Sequence, residues 1–270
     1  MADRYTYTYG FVGAGNMAWA LCDGFKGDKG SILVSNRSPD KLEKFEMAGC
    51  HIAKSNEDVV QQSRCVFLAV KPQMLGDIKH LFSDFEKDQL VVSMLAGVCI
   101  DRIRSQLFGG DETVKIFRIM PNMACSIGAG CCALSASSTC SEEDVGVVNK
   151  FLSGSMIRLY PIPERNMDAF TGLAGSGMGF VLKFIEALVE GAVHEGIPRA
   201  MALDGAIATV YGTSKLLMEQ KRHPALVREE VCSPGGTTIH GIVSMEKEGF
   251  SNAVVAAVVA AAERGRELNG

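Results

Sequence analysis

The sequence predicts an α/β protein in two parts. A doubly wound, mostly parallel sheet occupies residues 1–162, and an all-helical segment occupies residues 163–270. Three observations lead there. Short apolar runs alternate with amphipathic stretches through the first 160 residues. A glycine-rich turn lies where the first such run meets the first amphipathic stretch. After about Pro163 the strand-like runs stop, and apolar residues recur at helical spacing.

The elements follow in order. "YTYGFV" (7–12) reads as a strand and "NMAWALCDGF" (16–25) as a helix. "SILVSN" (31–36) is the next strand, after which Ser38 is expected to cap a helix with Pro39 at its first position and Asp40 in its first turn. "RCVFLAV" (64–70) and "QLVVSML" (89–95) are continuous apolar runs, as in strands buried on both faces of a parallel sheet. "VKIFRIM" (114–120) and "SMIRLYPI" (155–162) complete the strands. Beyond them, residues 180–197, 199–220, 237–249 and 251–268 read as helices. The run "AVVAAVVAAA" (253–262) is apolar all round and should be buried on every side. A thin helical segment cannot easily do that alone, so a dimer made by these helices is favoured over a self-contained bundle.

Composition narrows the function classes. The chain is 270 residues, 47% hydrophobic and 21% charged, which fits a globular protein with a sizeable core. Net charge is -4 and no stripe of Lys and Arg exists, so a nucleic-acid partner is not expected. The run 253–262 is far shorter than the roughly 20 residues a membrane-spanning helix needs, and residues 1–11 show no apolar core of a signal peptide. The nine cysteines are scattered without a CxxC pair, and the five histidines have no metal spacing. Reduced thiols in the cytoplasm and no bound metal are therefore expected.

"GFVGAGNMAWAL" carries the first chemistry. Gly13, Gly15 and Ala18 form GxGxxA between a strand and a helix. The first glycine permits the tight turn, the second lets backbone approach a pyrophosphate, and Ala18 keeps the helix close to the sheet. This is a Rossmann-like dinucleotide site in its proper context; the alternative is a βα turn without a ligand. The end of the second strand selects the cofactor. A carboxylate there favours NAD, but the residues are Ser35, Asn36, Arg37 and Ser38. Hydroxyls, an amide and an arginine suit a 2′-phosphate, so NADPH is expected over NADH. "AVKPQ" (69–73) ends the 64–70 strand at the edge where ligands bind in such sheets, and "SMLAG" (93–97) ends the next strand in the same way with small residues.

"CSPGGTTIHGI" (232–242) is a second glycine loop running into a helix start, and hence a second anion site. The plainer alternative is that Thr237 and Thr238 only cap the helix. Trp19, His194 and Cys232 are read as packing or dipole residues. His240 lies about 200° round the helix from Thr238, which leaves it out of any shared site.

With these pieces assembled, the chain resembles the pyrroline-5-carboxylate reductase family over nearly its whole length. The motifs "GFVGAGNMA", "FLAVKPQ", "RIMPN", "DAFTGLAGSG" and "VCSPGGTTIHGI" carry the resemblance. It implies NAD(P)H-dependent reduction of the cyclic imine Δ1-pyrroline-5-carboxylate to L-proline. It also implies a helical C-terminal dimerisation domain, with dimers gathered into a larger ring. By position it places the cofactor at Gly13, Ala14, Gly15, Asn16 and Met17. Ser35, Asn36, Arg37 and Asn56 fall near the adenosine end. Ala69, Val70, Lys71 and Pro72, with Leu95, Ala96 and Gly97, flank the nicotinamide. Glu164, Ser176, Gly177, Ser233, Gly235, Gly236, Thr237 and Thr238 fall near substrate. Two departures stand out: "MPNMA" (120–124) and "GSGMGF" (175–180) replace the family's usual Met-Pro-Asn-Thr-Pro and Gly-Ser-Gly-Pro-Ala-Tyr.

The substrate explains why no His–Asp or Tyr–Lys acid pair is evident. A protonated imine accepts hydride without the proton donor that a ketone's developing alkoxide needs, and positioning becomes the main task. The 235–238 amides are expected to hold the substrate carboxylate, and Thr238 to touch the ring nitrogen. Two rivals remain: a reductase of a related cyclic imine carboxylate, motivated by Met178, Gly179 and Phe180, and a dinucleotide-binding sensor without turnover.

Overall fold

The computed structural model describes residues 4–269; the first three residues and the last one of the two expected segments lie outside the described residues. The chain begins β1 (Tyr7–Val12), α1 (Asn16–Gly24), β2 (Ile32–Ser35), α2 (Glu43–Met47), β3 (His51–Ile52), α3 (Asn56–Gln62) and β4 (Ser63–Leu68). It continues through β5 (Leu90–Ser93), α4 (Ile100–Phe108), β6 (Lys115–Met120), β7 (Gly130–Ala136), α5 (Glu142–Leu152) and β8 (Met156–Pro161). These strands form one eight-stranded sheet in the order β3-β2-β1-β4-β5-β6-β7-β8. Among the described residues only β6 and β7 pair antiparallel. The switch from β1 to β4 across the sheet leaves the crevice at the strands' carboxyl ends in which such folds bind ligands.

Alternation along the strands fills two cores. Phe11, Phe67 and Phe117 face α1 and α5, packing with Leu21 and Phe151. Val12, Val66, Leu68 and Val91 face α3 and α4, packing with Val59 and Ile103. Helices thus cover both faces, and β4 and β5 are buried through almost every residue, as their continuous apolar runs predict. Phe11 stacks on Phe67 with centroids 4.5 Å apart across the β1–β4 register. Burial also pushes the Cys65 and Cys132 thiols far above their ordinary range, so they remain neutral packing groups.

Some local expectations need correction. Ser38 makes no side-chain cap; it precedes a tight 3-10 turn over Pro39–Lys41, and α2 starts only at Glu43. The working caps are Ser55 with Asp58 and Ser141 with Asp144, each a reciprocal capping box. Among the elements without a reading of their own from the sequence are β3, α3, α4, β7, α5 and the helix over Pro224–Val231. "GCCALSA" in β7 is made of small residues with little strand preference, and its antiparallel pairing with β6 draws it into the sheet.

Helices follow β8: α6 (Met167–Phe170), α7 (Gly177–His194), α8 (Arg199–Gln220), α9 (Pro224–Val231), α10 (Thr237–Lys247) and α11 (Phe250–Asn269). By packing, the chain divides into two compact units, residues 1–175 with 261–270, and residues 176–260. The first unit keeps α6 because Met167 is enclosed with Met120 and Ala133. It also keeps the last turns of α11.

The second unit is thin. Its own core holds Val189, Ala202 and Ala206 between α7 and α8. Phe184 meets Phe250 at 5.9 Å. The 253–262 stretch is not buried by its own chain: Val254, Val255 and Val259 are exposed, and only Ala262 at its end is enclosed. Met201 and Tyr211 on α8 are exposed as well.

Candidate functional site

The first loop is shaped by backbone. Gly13 takes φ +103°, and a Cβ there would lie 2.7 Å from the carbonyl oxygen of Ala69. Its N–H donates to the Ser35 carbonyl at 3.0 Å, tying the turn to β2. The next amide, Ala14 N–H, donates to Asn36 Oδ1 at 3.2 Å. Gly15 is the N-cap of α1 and provides no side-chain cap, while a Cβ there would come no closer than 3.8 Å to protein. The N–H groups of the first turn, Asn16 and Met17 among them, have no intrahelical acceptors and point at an open approach. Trp19 beyond them is packing: it meets Phe45 edge-on at 5.1 Å.

A cleft of about 370 Å³ opens above this loop and brings together Gly13, Gly15, Asn36, Arg37, Asn56, Ala69, Val70 and Lys71. Lys41 and His80 line it too, and sequence reasoning had missed both. Lys41 is hidden in an alternating charge run, and the 3-10 turn that it ends sets it in the same cleft lining as Arg37. Arg37, Lys41 and Lys71 outnumber Asp77 in the lining, so the cleft is cationic on balance. Ser35 is buried beneath it, its hydroxyl donating to Asn56 Oδ1 at 2.6 Å. Pro72 opens a 3-10 turn directly after Lys71. The Leu95–Ala96–Gly97 loop is not part of that cleft. Leu95 is buried, Ala96 packs with Met120 and Met167, and Gly97 has φ +69° under the last turns of α11.

Glu164 is engaged within the first unit. Its Oε1 accepts the Ile100 N–H at 2.6 Å and lies 3.4 Å from Arg118 Nη1. Arg118 also holds Asp168 at 2.9 Å. Neither Arg118 nor Asp168 was expected; the signal was a charge inside the apolar run "VKIFRIM". Glu164 lines a separate cavity of about 640 Å³ with Arg104 and Ser135. Asn122 of "MPN" accepts the Cys131 N–H at 3.2 Å and donates to the Ala174 carbonyl at 3.3 Å, while Met123 beside it is 42% exposed.

The remaining expected residues lie in the second unit. Ser176 is the N-cap of α7 without a side-chain cap, and Gly177 is its first residue. The 233–238 loop builds its own cradle. Gly235 takes φ +65°, and Gly236 donates to the Ser233 carbonyl at 3.0 Å. Gly236 is the N-cap of α10 and gives no side-chain cap, so the amides of Thr237 and Thr238 start the helix without acceptors of their own. Both threonines are exposed. His240 turns back, its Nδ1 2.9 Å from the Gly236 carbonyl, so its ring serves the loop.

Known proteins match nearly the whole of this chain. The family described as pyrroline-5-carboxylate reductase dimerisation matches residues 164–268, and that described as NADP oxidoreductase, coenzyme F420-dependent, matches residues 8–97. The chain is 39% identical to pyrroline-5-carboxylate reductase 3 of Danio rerio over 98% of its own length and 93% of that protein. It is 37% identical to pyrroline-5-carboxylate reductase of Pisum sativum over 98% and 97%. The crystal structure of Plasmodium falciparum pyrroline carboxylate reductase with NADP bound superposes with a TM-score of 0.89 at 25% identity, covering 99% of this chain and 100% of that one. A Rossmann-like sheet with a GxGxxA turn, a helical segment with a second glycine-led helix start, and identity at this level over nearly the full length agree: the chain belongs to the pyrroline-5-carboxylate reductase family.

Proposed function

We propose that this protein reduces Δ1-pyrroline-5-carboxylate to L-proline, with NADPH as the preferred hydride donor. The observation that carries the reading is the second helix start, Gly236 before Thr237 and Thr238, set apart from the dinucleotide loop. A dinucleotide needs one phosphate cradle; a substrate carboxylate calls for another.

The residues of the first unit fit the cofactor. The Gly13 turn leaves no room for a Cβ, the α1 amides suit a pyrophosphate, and Asn36, Arg37 and Lys41 suit a 2′-phosphate. NADPH, when bound, supplies the hydride that goes to the imine carbon. Gly13, Ala14, Gly15, Asn16 and Met17 hold the pyrophosphate. Ser35 and Asn56 shape the floor at the adenosine end. Ala69, Val70, Lys71, Pro72, Leu95, Ala96 and Gly97 border the nicotinamide.

The backbone amides of Gly235, Thr237 and Thr238 bind the carboxylate beside Ser233; the Gly236 amide, expected to join them, instead closes the loop on the Ser233 carbonyl. Thr238 is the catalytic residue: its hydroxyl orients the ring nitrogen, and relays a proton to it when the neutral imine binds. Ser176 and Gly177 bound the substrate region; Glu164 borders it, its Oε1 engaged by the Ile100 amide and Arg118 rather than offered to substrate. Reduction of an iminium creates no alkoxide, so positioning by amides and hydroxyls suffices. Residues 1–162 form the dinucleotide-binding domain, and residues 163–270 the substrate-binding and dimerisation domain.

The match to a dimerisation family over residues 164–268 and the uncovered valines of α11 support a homodimer through the C-terminal helices; a larger ring of such dimers rests on the family resemblance alone. Residues 164–194 are helical and apolar enough by length and composition to cross a membrane, but they lie within that dimerisation segment, so a partner subunit is the preferred cover. The nine free cysteines favour a reducing, cytoplasmic setting.

The deciding experiment supplies purified protein with the imine and NADPH, follows loss of the reduced-nicotinamide absorbance, and measures proline. Absence of both NADPH oxidation and proline would remove the reading. A second reading, a related cyclic imine carboxylate, rests on Met178-Gly179-Phe180; greater kcat/KM for a thia- or six-membered analogue would favour it.

A further inference from the structure

Arg118 is the largest of the fully enclosed side chains, and it sits in the middle of a strand. Its neighbours in register are Ser93, the last residue of β5, and Ser135 of β7. One guanidinium nitrogen holds Asp168 and another Glu164, while Nε has no partner. A buried ion cluster of this kind is a weak source of stability, because desolvation offsets most of the attraction. Its value lies in what it holds in place.

Glu164 performs a task that α4 does not perform for itself. Cys99 at the N-cap of α4 gives no side-chain cap, and the first amide of the helix, that of Ile100, donates to Glu164 Oε1 at 2.6 Å. The cap comes from 64 residues further along the chain. Its carboxylate is steadied by Arg118, which carries the balancing charge.

The β5–α4 connection that ends at this cap is anchored elsewhere as well. The Leu95 N–H donates to Ser93 Oγ at 3.2 Å. Ala96 packs with Met120 and Met167. A Cβ on Gly97 would come within 2.5 Å of Leu268 Cβ. Asp168, the other partner of Arg118, lies against Gly265 of the same returning helix end. The connection therefore has little freedom provided that Glu164 stays on Ile100.

We propose that Arg118 is a positioning residue of the reductase. By orienting Glu164 on the Ile100 amide it sets the start of α4, and so the Leu95–Gly97 loop on the nicotinamide side. This rests on the cofactor placement under Proposed function. The guanidinium touches neither cofactor nor substrate. It acts through Glu164, while Asp168, its nearer partner at 2.9 Å, anchors the guanidinium from the other side, a contact that an Asn there can still accept.

The test uses the full-length enzyme and Arg118→Lys, Glu164→Ala and Asp168→Asn. Wild-type turnover with the imine is measured first, so a failed functional reading is seen before any variant. Rates are then taken per NADPH-binding site, which discounts unfolded protein. A displacement of the ring by a fraction of an ångström is expected to lower kcat roughly 10- to 100-fold in Arg118→Lys and Glu164→Ala. NADPH affinity should move less than about threefold, because the phosphate contacts dominate it. The deuterium isotope effect from 4-deuterated NADPH should rise as hydride transfer becomes limiting, which a merely structural loss would not produce. Asp168→Asn should lower Tm and leave kcat within about twofold.

Should Arg118→Lys fail to fold, Glu164→Ala carries the same expectation without disturbing the sheet. Amide exchange over residues 94–102 gives a readout independent of activity, and should accelerate at least about tenfold in both variants as the capped amide is freed. Wild-type rates and isotope effect per site, unchanged exchange, or a main effect on the KM of the imine would each overturn the proposal.

Discussion

The hydroxyl of Ser35, the last residue of β2, donates to the side-chain oxygen of Asn56, the first residue of α3, at 2.6 Å. The bond closes the floor beneath the adenosine end of the cleft and commits a group that could otherwise serve a ligand. Discrimination between NADPH and NADH then falls to the exposed Arg37, with Lys41 in the same cleft lining. Charge-assisted bonds are worth about 1.5–3 kcal/mol, which is roughly 10- to 100-fold in binding. Arg37→Ala is expected to raise the KM for NADPH by about that factor and that for NADH by no more than about threefold. Steady-state kinetics with both cofactors checks it; equal losses would assign Arg37 a general role.

Gly13 offers a sharper test of the loop. At φ +103° an L side chain is strained, and its Cβ would press on the Ala69 carbonyl at 2.7 Å. Gly13→Ala must displace either the turn or the end of β4. NADPH affinity is expected to fall at least about 100-fold, since the pyrophosphate amides belong to this turn. Fluorescence titration of NADPH measures it. The far-ultraviolet circular dichroism should persist, because the sheet is anchored elsewhere.

How far this fold can be read from sequence depends on where each element takes its stability. β4 and β5 declare themselves because both faces are buried, and α7 because its apolar residues recur at helical spacing. β7 does not: Gly130, Cys131, Cys132 and Ala133 have little strand character, and only pairing with β6 makes them a strand. Ser38 failed as a cap because Pro39 led a 3-10 turn, whereas Ser55 succeeded with Asp58 three residues on. The glycine loops were legible because backbone shape demands those residues. The Arg118–Glu164–Asp168 cluster was not, since no local rule joins positions 46 and 50 residues apart.

Thr238 can be separated from its helix. As the second residue of α10 it adds little to capping, Gly236 being the N-cap. Thr238→Ala is expected to lower kcat/KM for the imine roughly 10- to 1,000-fold and to leave NADPH affinity unchanged. Thr238→Ser keeps the hydroxyl and should recover most of the loss. Rates for both variants equal to wild type would take the hydroxyl out of the mechanism.

A pH-dependent term in stability is built into α5. Desolvation pushes the Asp144 carboxyl up, but bonds from Lys115 and Ser141 outweigh it and hold the group below its ordinary range. Lys115 Nζ lies 2.9 Å from Asp144 Oδ2, and the Asp144 side chain is only 3% exposed. A depressed carboxyl stabilises the fold above its unfolded value near about 3.9, and that contribution is lost as pH falls through the folded value. Asp144→Asn should therefore cost about 1–3 kcal/mol at neutral pH. The gap from wild type should close as pH falls below about 4. Urea unfolding across the pH range gives the curve, and a gap constant with pH would mean that packing, not charge, is what the substitution removes.

Assembly should be separable from folding. Val254, Val255 and Val259 form part of the apolar surface of α11 that its own chain leaves uncovered, with Val255 62% exposed. A charge placed there meets water in a lone chain but would be buried in an interface, where an unpaired carboxylate costs several kcal/mol. Val255→Asp is thus expected to leave the sheet domain folded and still able to bind NADPH, while sedimentation shifts the assembly to smaller species at micromolar concentration. Imine turnover should decline with the oligomer if the helices need a partner to hold the 233–238 loop in its working position. Unchanged sedimentation would show that this stripe faces solvent in the assembled protein, and the search for the interface would then move to Met201 and Tyr211 on α8.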